Sequence, residues 1–235
     1  ERLISPSTNA TDVSYGELGI GQIETAGDLD LFTFDGGAGE TVLLQAAWQE
    51  GTMRPCIELI APDNTRTDAC ENAFTNRIDT TLDQTGVYSV LVDVFFGGSG
   101  SYALAFERLI APSSGAQSLT SGAYVTGEID PVGDLDLYAF EGSADDDVIL
   151  TIAWKSGTMR PCLQLIHPDN SRSTACQNAF SNQLDMKLPM TGTYAVVADV
   201  FFGGTGKYTL DFQCITGKCA ANVKTPIYLP IIRHD

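Results

Sequence analysis

Histidine is nearly absent from this chain of 235 residues, which holds only His167 and His234. That scarcity removes the side chain most often used as a general base. No Gly-x-Ser-x-Gly elbow, His-Glu-x-x-His helix or phosphate-cradling glycine loop takes its place. Carboxylate pairs for glycoside chemistry are not singled out by any spacing. No enzymatic activity is expected. Basic residues are also scarce: 13 Lys and Arg face 30 Asp and Glu, a formal charge of −17. Such a chain repels phosphate backbones, so nucleic acid is not an expected partner. Divalent cations suit it, although solubility alone accounts for an acidic surface. No apolar run reaches the roughly 18 residues that span a bilayer, and membrane insertion is not expected. Convincing helical periodicity is missing too. The chain opens on Glu1 with no basic or apolar leader, which suggests a processed mature chain or a piece of something longer.

What is present is written twice. A constant offset of 106 residues carries Glu1 to Glu107, Trp48 to Trp154 and Cys56 to Cys162 without a gap. ERLI, GTMRPC, PDN and DVFFGG all recur at that offset, and His167 falls on Ala61. A fixed period of this kind means tandem modules, here 1–106 and 107–214, followed by a tail, 215–235. Each module is long enough to bury its own core. A residue shared by both copies is structural or used twice, and an asymmetric site belongs where the copies differ.

Six cysteines set the compartment. Cys56 and Cys70 lie symmetrically about Asp63, and Cys162 and Cys176 about Asp169, each centred on a Pro-Asp-Asn turn between apolar runs. That pattern reads as a β-hairpin, whose symmetric positions face each other about 4.5–5.5 Å apart at Cβ, near disulfide range. Cys214 and Cys219 close a small loop after the second module. Three local disulfides imply an oxidising, extracellular or cell-surface location. Zinc is the rival reading, but neither module offers a second cysteine pair or histidine at ligand spacing.

Gly, Pro, Asn and Asp punctuate each copy, and the runs between them alternate or are β-branched. From Val87 to Phe96, Tyr88, Val90, Val92, Val94 and Phe96 share a core face, while Leu91 and Phe95 on the other face are expected beneath another element. Further strands are expected around 18–24, 29–34, 41–48, 55–61, 77–82 and 101–108. Short antiparallel strands at this density predict an all-β fold of two β-sandwich, jelly-roll-like modules.

GDLDLFTFDGGAGETVLLQ, PCIELIAPDN, GVYSVLV and GSYALAF, with GDLDLYAFEG, PCLQLIHPDN, GTYAVVA and GKYTLDF in the second copy, resemble the bacterial pre-peptidase C-terminal domain. The resemblance covers nearly all of both modules. It implies a secreted jelly-roll-like sandwich of the kind found at the C-terminal ends of proteases and other exported proteins, with relatives that bind matrix polymers or calcium. The hairpin disulfide is not part of that pattern.

Candidate site residues follow. Asp28 and Asp30, and likewise Asp134 and Asp136, are expected on one side of a strand, where they could share calcium or accept backbone N–H bonds that pin a loop. The second role is the simpler one. Trp48 and Trp154 are expected in the core rather than stacking on sugars, and Arg54 and Arg160 are expected to be structural. In the FFGG loops, Phe95 and Phe96, and Phe201 and Phe202, should place one ring inward and leave one for an interface. Asn9 fits a glycosylation acceptor pattern.

The tail carries an apolar segment, Ile227, Tyr228, Leu229, Ile231 and Ile232, interrupted by prolines that bar it from a central ladder position. It must dock on its own second module or insert into a neighbouring copy, the latter a head-to-tail contact that can propagate. LPII is not a sortase signal. The expected function is a non-catalytic subunit of an extracellular fibre or adhesive structure that self-associates head to tail. The alternative is a C-terminal accessory region of a larger secreted hydrolase, binding polymer or helping export. Calcium-stabilised spacer modules are a third possibility.

Overall fold

The computed structural model describes residues 10–217 and Cys219. The first half supplies nine strands: β1 (Thr11–Asp12), β2 (Glu17–Ile23), β3 (Asp30–Gly36), β4 (Thr41–Gly51), β5 (Pro55–Ile60), β6 (Arg66–Ala69), β7 (Thr75–Thr81), β8 (Gly86–Val94) and β9 (Gly100–Arg108). The second half supplies nine more: β10 (Gln117–Ser118), β11 (Ala123–Ile129), β12 (Asp136–Gly142), β13 (Asp147–Trp154), β14 (Pro161–Ile166), β15 (Arg172–Ala175), β16 (Ser181–Lys187), β17 (Gly192–Val200) and β18 (Gly206–Thr216). Among the described residues there is no helix.

The two halves share one topology. A five-stranded sheet of order β1-β3-β8-β5-β6 faces a four-stranded sheet of order β2-β9-β4-β7, and the second half repeats this as β10-β12-β17-β14-β15 and β11-β18-β13-β16. Pairing is antiparallel except for the short edge strands β1 and β10. Alternation builds each core: Tyr88, Val90 and Val92 of β8 meet Val42 and Leu44 of β4 and Phe106 of β9. The second sandwich buries Tyr194, Val196, Val148, Leu150 and Phe212 at the matching places. The fold is therefore all-β, two β-sandwich domains.

Two details depart from the sequence reading. Phe96 does not extend the inward face of β8: that strand ends at Val94, and Gly97 and Gly98, at φ of 75° and 108°, turn the chain so that Phe96 is 83% exposed. Asp28 and Asp134 stand in the turns before β3 and β12, not on the strands, because each turn closes on its own backbone through Asp28 N–H to Thr25 O and Asp134 N–H to Pro131 O. The seam of the sequence period falls inside a strand, as the expected strand at 101–108 implies. β9 runs on to Arg108, pairing Glu107 with Leu43, and β18 runs to Thr216.

A third apolar cluster lies between the halves. Leu43 of β4, Ala105 of β9 and Leu109 pack with Leu135 and Leu137, Ile166 of β14, and Ala195 and Val197 of β17. Leu43 alternates with the inward Val42 and Leu44, so the outer face of the first four-stranded sheet meets the outer face of the second five-stranded sheet. The molecule is four stacked sheets with three apolar layers.

Candidate functional site

The junction between the halves carries a polar network that joins them across the apolar layer. Outward positions of β4 and β7 carry it from one side. Gln45 Nε2 donates to Gly133 O at 3.1 Å, and Gln49 Nε2 to Val132 O. Arg77 donates to Gln164 Oε1 at 3.0 Å, lies 3.4 Å from Asp199, and also holds Asp79 of its own strand. Arg172 reaches across from β15 to grip both carboxylate oxygens of Asp79. Burial alone would raise the Asp79 carboxyl, but the guanidinium groups of Arg172 and Arg77 outweigh it and hold it below the ordinary range. Asp199, more deeply enclosed, is raised by burial in spite of Arg77.

Beside this network sits an acidic group. Glu107 is buried, accepts a hydrogen bond from Ser113 Oγ at 3.0 Å, and feels Asp134 and Asp136 of the second half. Burial, reinforced by those two charges, pushes its carboxyl up to about 7. Asp134 is raised to about 6, first by burial and then by its acidic neighbours.

At one margin of the junction opens a cleft of about 650 Å³, walled by Trp48 and Phe74 from the first half and by Phe201 and Phe202 from the second. Trp48 and Phe74 pack edge to face at 5.2 Å, and the Arg54 guanidinium lies 3.7 Å over the Phe74 ring. Trp48 Nε1 donates to Gly51 O, which fixes the indole. The second half repeats the motif with Trp154, Phe180 and Arg160. Trp48 is half-buried against the first core, with Phe201 and Phe202 of the second half across the cleft, whereas Trp154, at the end of β13, is 38% exposed, so its expected burial fails.

The expected site residues fall as follows. Disulfides join Cys56 to Cys70, Cys162 to Cys176 and Cys214 to Cys219. Asp28 accepts the N–H groups of Glu24 and Leu29, and Asp134 those of Asp130 and Leu135, the loop-pinning role. Asp30 accepts the hydroxyl of Tyr102 at 2.6 Å, and Asp136 that of Tyr208. The tighter acidic groupings among the described residues, Cys56–Cys70–Asp93 and Asp146–Cys214–Cys219, each contain a disulfide, whose sulfurs are not thiolate ligands. Phe95 packs on Phe96, and Phe201 on Phe202, with the second ring of each pair outermost. His167 is buried against Tyr194 and bonded to Ser173, and burial lowers its pKa; this is a packed core histidine. Asn9 and the tail residues Ile227, Tyr228, Leu229, Ile231 and Ile232 lie outside the described residues.

Sequence reasoning missed the junction residues Gln45, Arg77, Asp79 and Glu107. A partial signal existed: at the 106-residue offset Gln45 becomes Thr151, Arg77 becomes Gln183 and Glu107 becomes Gln213, while Asp79 keeps its counterpart in Asp185.

No protein-family model matches the sequence, and no curated protein matches it. Solved structures give weak likenesses. The pre-peptidase C-terminal domain of a Bacillus anthracis collagenase is 14% identical, covering 42% of this chain and 94% of its own, at a TM-score of 0.38. Tripeptidyl peptidase 2 is 8% identical over 88% of this chain and 24% of its own, at 0.26. The CBM22-1–CBM22-2 tandem of Paenibacillus barcinonensis Xyn10C is 6% identical over 90% of this chain and 100% of its own, at 0.25. None superposes closely enough to argue function.

Proposed function

We propose that this chain is a non-catalytic extracellular interaction protein, a subunit of a surface fibre or adhesive structure assembled head to tail from its own copies. The observation that carries the reading is the pair of FFGG loops. Phe96 and Phe202 are 83% and 80% exposed, at the same place in both halves. A large ring held in water twice, by a glycine turn each time, is an interaction device rather than core left over. The tail segment from Ile227 to Ile232 is the expected second contact. Three disulfides suit the oxidising space outside a cell. Sedimentation velocity of the intact chain tests the reading: species larger than a monomer are expected at rising concentration, and Phe96→Ser with Phe202→Ser should shift them back. A chain that stays monomeric throughout overturns it.

A second reading is favoured by the aromatic cleft. Trp48, Phe74, Phe201 and Phe202 offer flat apolar surfaces to an extended polymer, as an accessory region of a secreted hydrolase would. Retention on an insoluble polymer, lost in Trp48→Ala, would favour it. Calcium at Asp28–Asp30 and Asp134–Asp136 is the remaining alternative, and a melting temperature indifferent to chelator would remove it.

A further inference from the structure

The junction pairs two different surfaces, the outer face of a four-stranded sheet and the outer face of a five-stranded sheet. Each half carries both faces, so the chain joins one of each at the junction and leaves parts of the other two exposed. The 106-residue offset identifies the remainder. Leu18, Leu43 and Leu109, which pack into the junction, correspond to Tyr124, Ile149 and Ile215 on the second four-stranded sheet. All three are still apolar, yet Tyr124 is 69% exposed, Ile215 51% exposed and Ile149 half-buried. Asp79, gripped by Arg172 across the junction, corresponds to Asp185, which is exposed.

The other end carries the complement. Leu135, Val197, Asp199 and Arg172 correspond to Leu29, Leu91, Asp93 and Arg66 on the first five-stranded sheet. Leu29, Leu91 and Asp93 are half-buried, and Arg66 is exposed, bonded to Glu58 of its own sheet at 2.9 Å. Leu31 and Ile60, counterparts of Leu137 and Ile166, are buried, so the open part of this face is the side toward the FFGG loop.

We propose that a second copy of this chain stacks its first five-stranded sheet, through Leu29, Leu91 and Arg66, on the second four-stranded sheet, at Tyr124, Ile149, Ile215 and Asp185, continuing the internal junction from chain to chain. Asp185 then meets the second copy's Arg66 as Asp79 meets Arg172. The contact is heterologous, so its repetition gives an open linear stack. It is weaker than the internal junction for two reasons on the page. Arg77 has become Gln183, which leaves Asp93 without the cation that Asp199 faces, and Ala105 has become Asp211 within the apolar face. The halves of one chain stay joined while copies remain separable.

This inference rests on the self-association reading and is tested by charge reversal in the intact chain. Arg66→Asp alone, or Asp185→Arg alone, should weaken self-association about tenfold or more by setting like charges opposite each other. The double variant should restore it, because the pair is then reversed, not removed. Both side chains are on the surface, and matched melting temperatures would show that the fold is intact. If the parent associates and both single variants associate equally well, the stacking contact is wrong while self-association stands. If the parent never associates, both fall.

Discussion

Glu107 lies one residue from the end of β9 while feeling the charges of Asp134 and Asp136 in the second half. The raised carboxyl keeps a proton in the folded state that an ordinary glutamate loses near 4.5. Between that value and about 7 the unfolded chain binds fewer protons than the folded one, so stability falls as pH rises through this window and levels off above it. Asp134, raised to about 6, adds to the same trend. Asp79 works the other way: its lowered carboxyl contributes stability at neutral pH that is lost on acidification. Glu107→Gln should therefore melt higher than the parent at pH 8, by on the order of 1–3 kcal/mol, and close to it at pH 5. The second half already carries Gln213 at the matching position. Equal melting at pH 8 would mean that the Glu107 carboxylate is better solvated than its burial implies.

Strand β2 shows how an element depends on one missing side chain. Gly21 lies opposite Tyr102 in the β2–β9 register, and a Cβ there would sit 2.2 Å from the Tyr102 ring. The ring crosses the bare backbone to deliver its hydroxyl to Asp30, and the second half repeats this with Gly127, Tyr208 and Asp136. Gly21→Ala must displace the ring and is expected to cost about 1–3 kcal/mol in denaturant unfolding, as overpacked cores do. A neutral substitution would show that the tyrosine can move without loss. Much at this scale was legible in the sequence because the signals are local. Alternation and turn residues located the long strands, and symmetry about Asp63 paired Cys56 with Cys70, as the Ile57–Ala69 register requires. The short edge strand β6, Arg-Thr-Asp-Ala, is polar and carries no periodic signal. Phe96 was misplaced because alternation holds only while the chain stays extended, and the glycine turn ends it. Outward Leu91 and Phe95 were expected beneath another element and are only half-buried; the outward positions that are fully covered are Leu43 and Ala105, and one strand cannot say by what. Here the cover is the other half of the chain.

At the scale of the whole molecule, the question is whether two sandwiches joined in one chain behave as one body. Domains within a chain move relative to one another unless their interface is large and apolar. This one has an apolar layer, a charged network at its side and a fastened linker: Leu109 is fully buried in the layer and its N–H bonds to Thr41 O at 2.8 Å. Uncoupling should therefore need damage in the layer rather than at its rim. Leu137→Asp places an unpaired carboxylate opposite Leu43 and Ala105, and is expected to split one cooperative unfolding transition into two and to enlarge the radius of gyration in X-ray scattering. Since that variant also weakens its own strand, a double-mutant cycle between Asp79→Ala and Arg172→Ala gives an independent reading. The two changes should be non-additive by about 0.5–3 kcal/mol if the halves share one transition. Additive effects with an unchanged radius would mean that the halves only touch. In the proposed stack the same coupling would decide how load passes, because one chain hands it to the next only if the junction inside each chain outlasts the contact between chains. The replacement of Arg77 by Gln183 at the open face would supply that order of strengths.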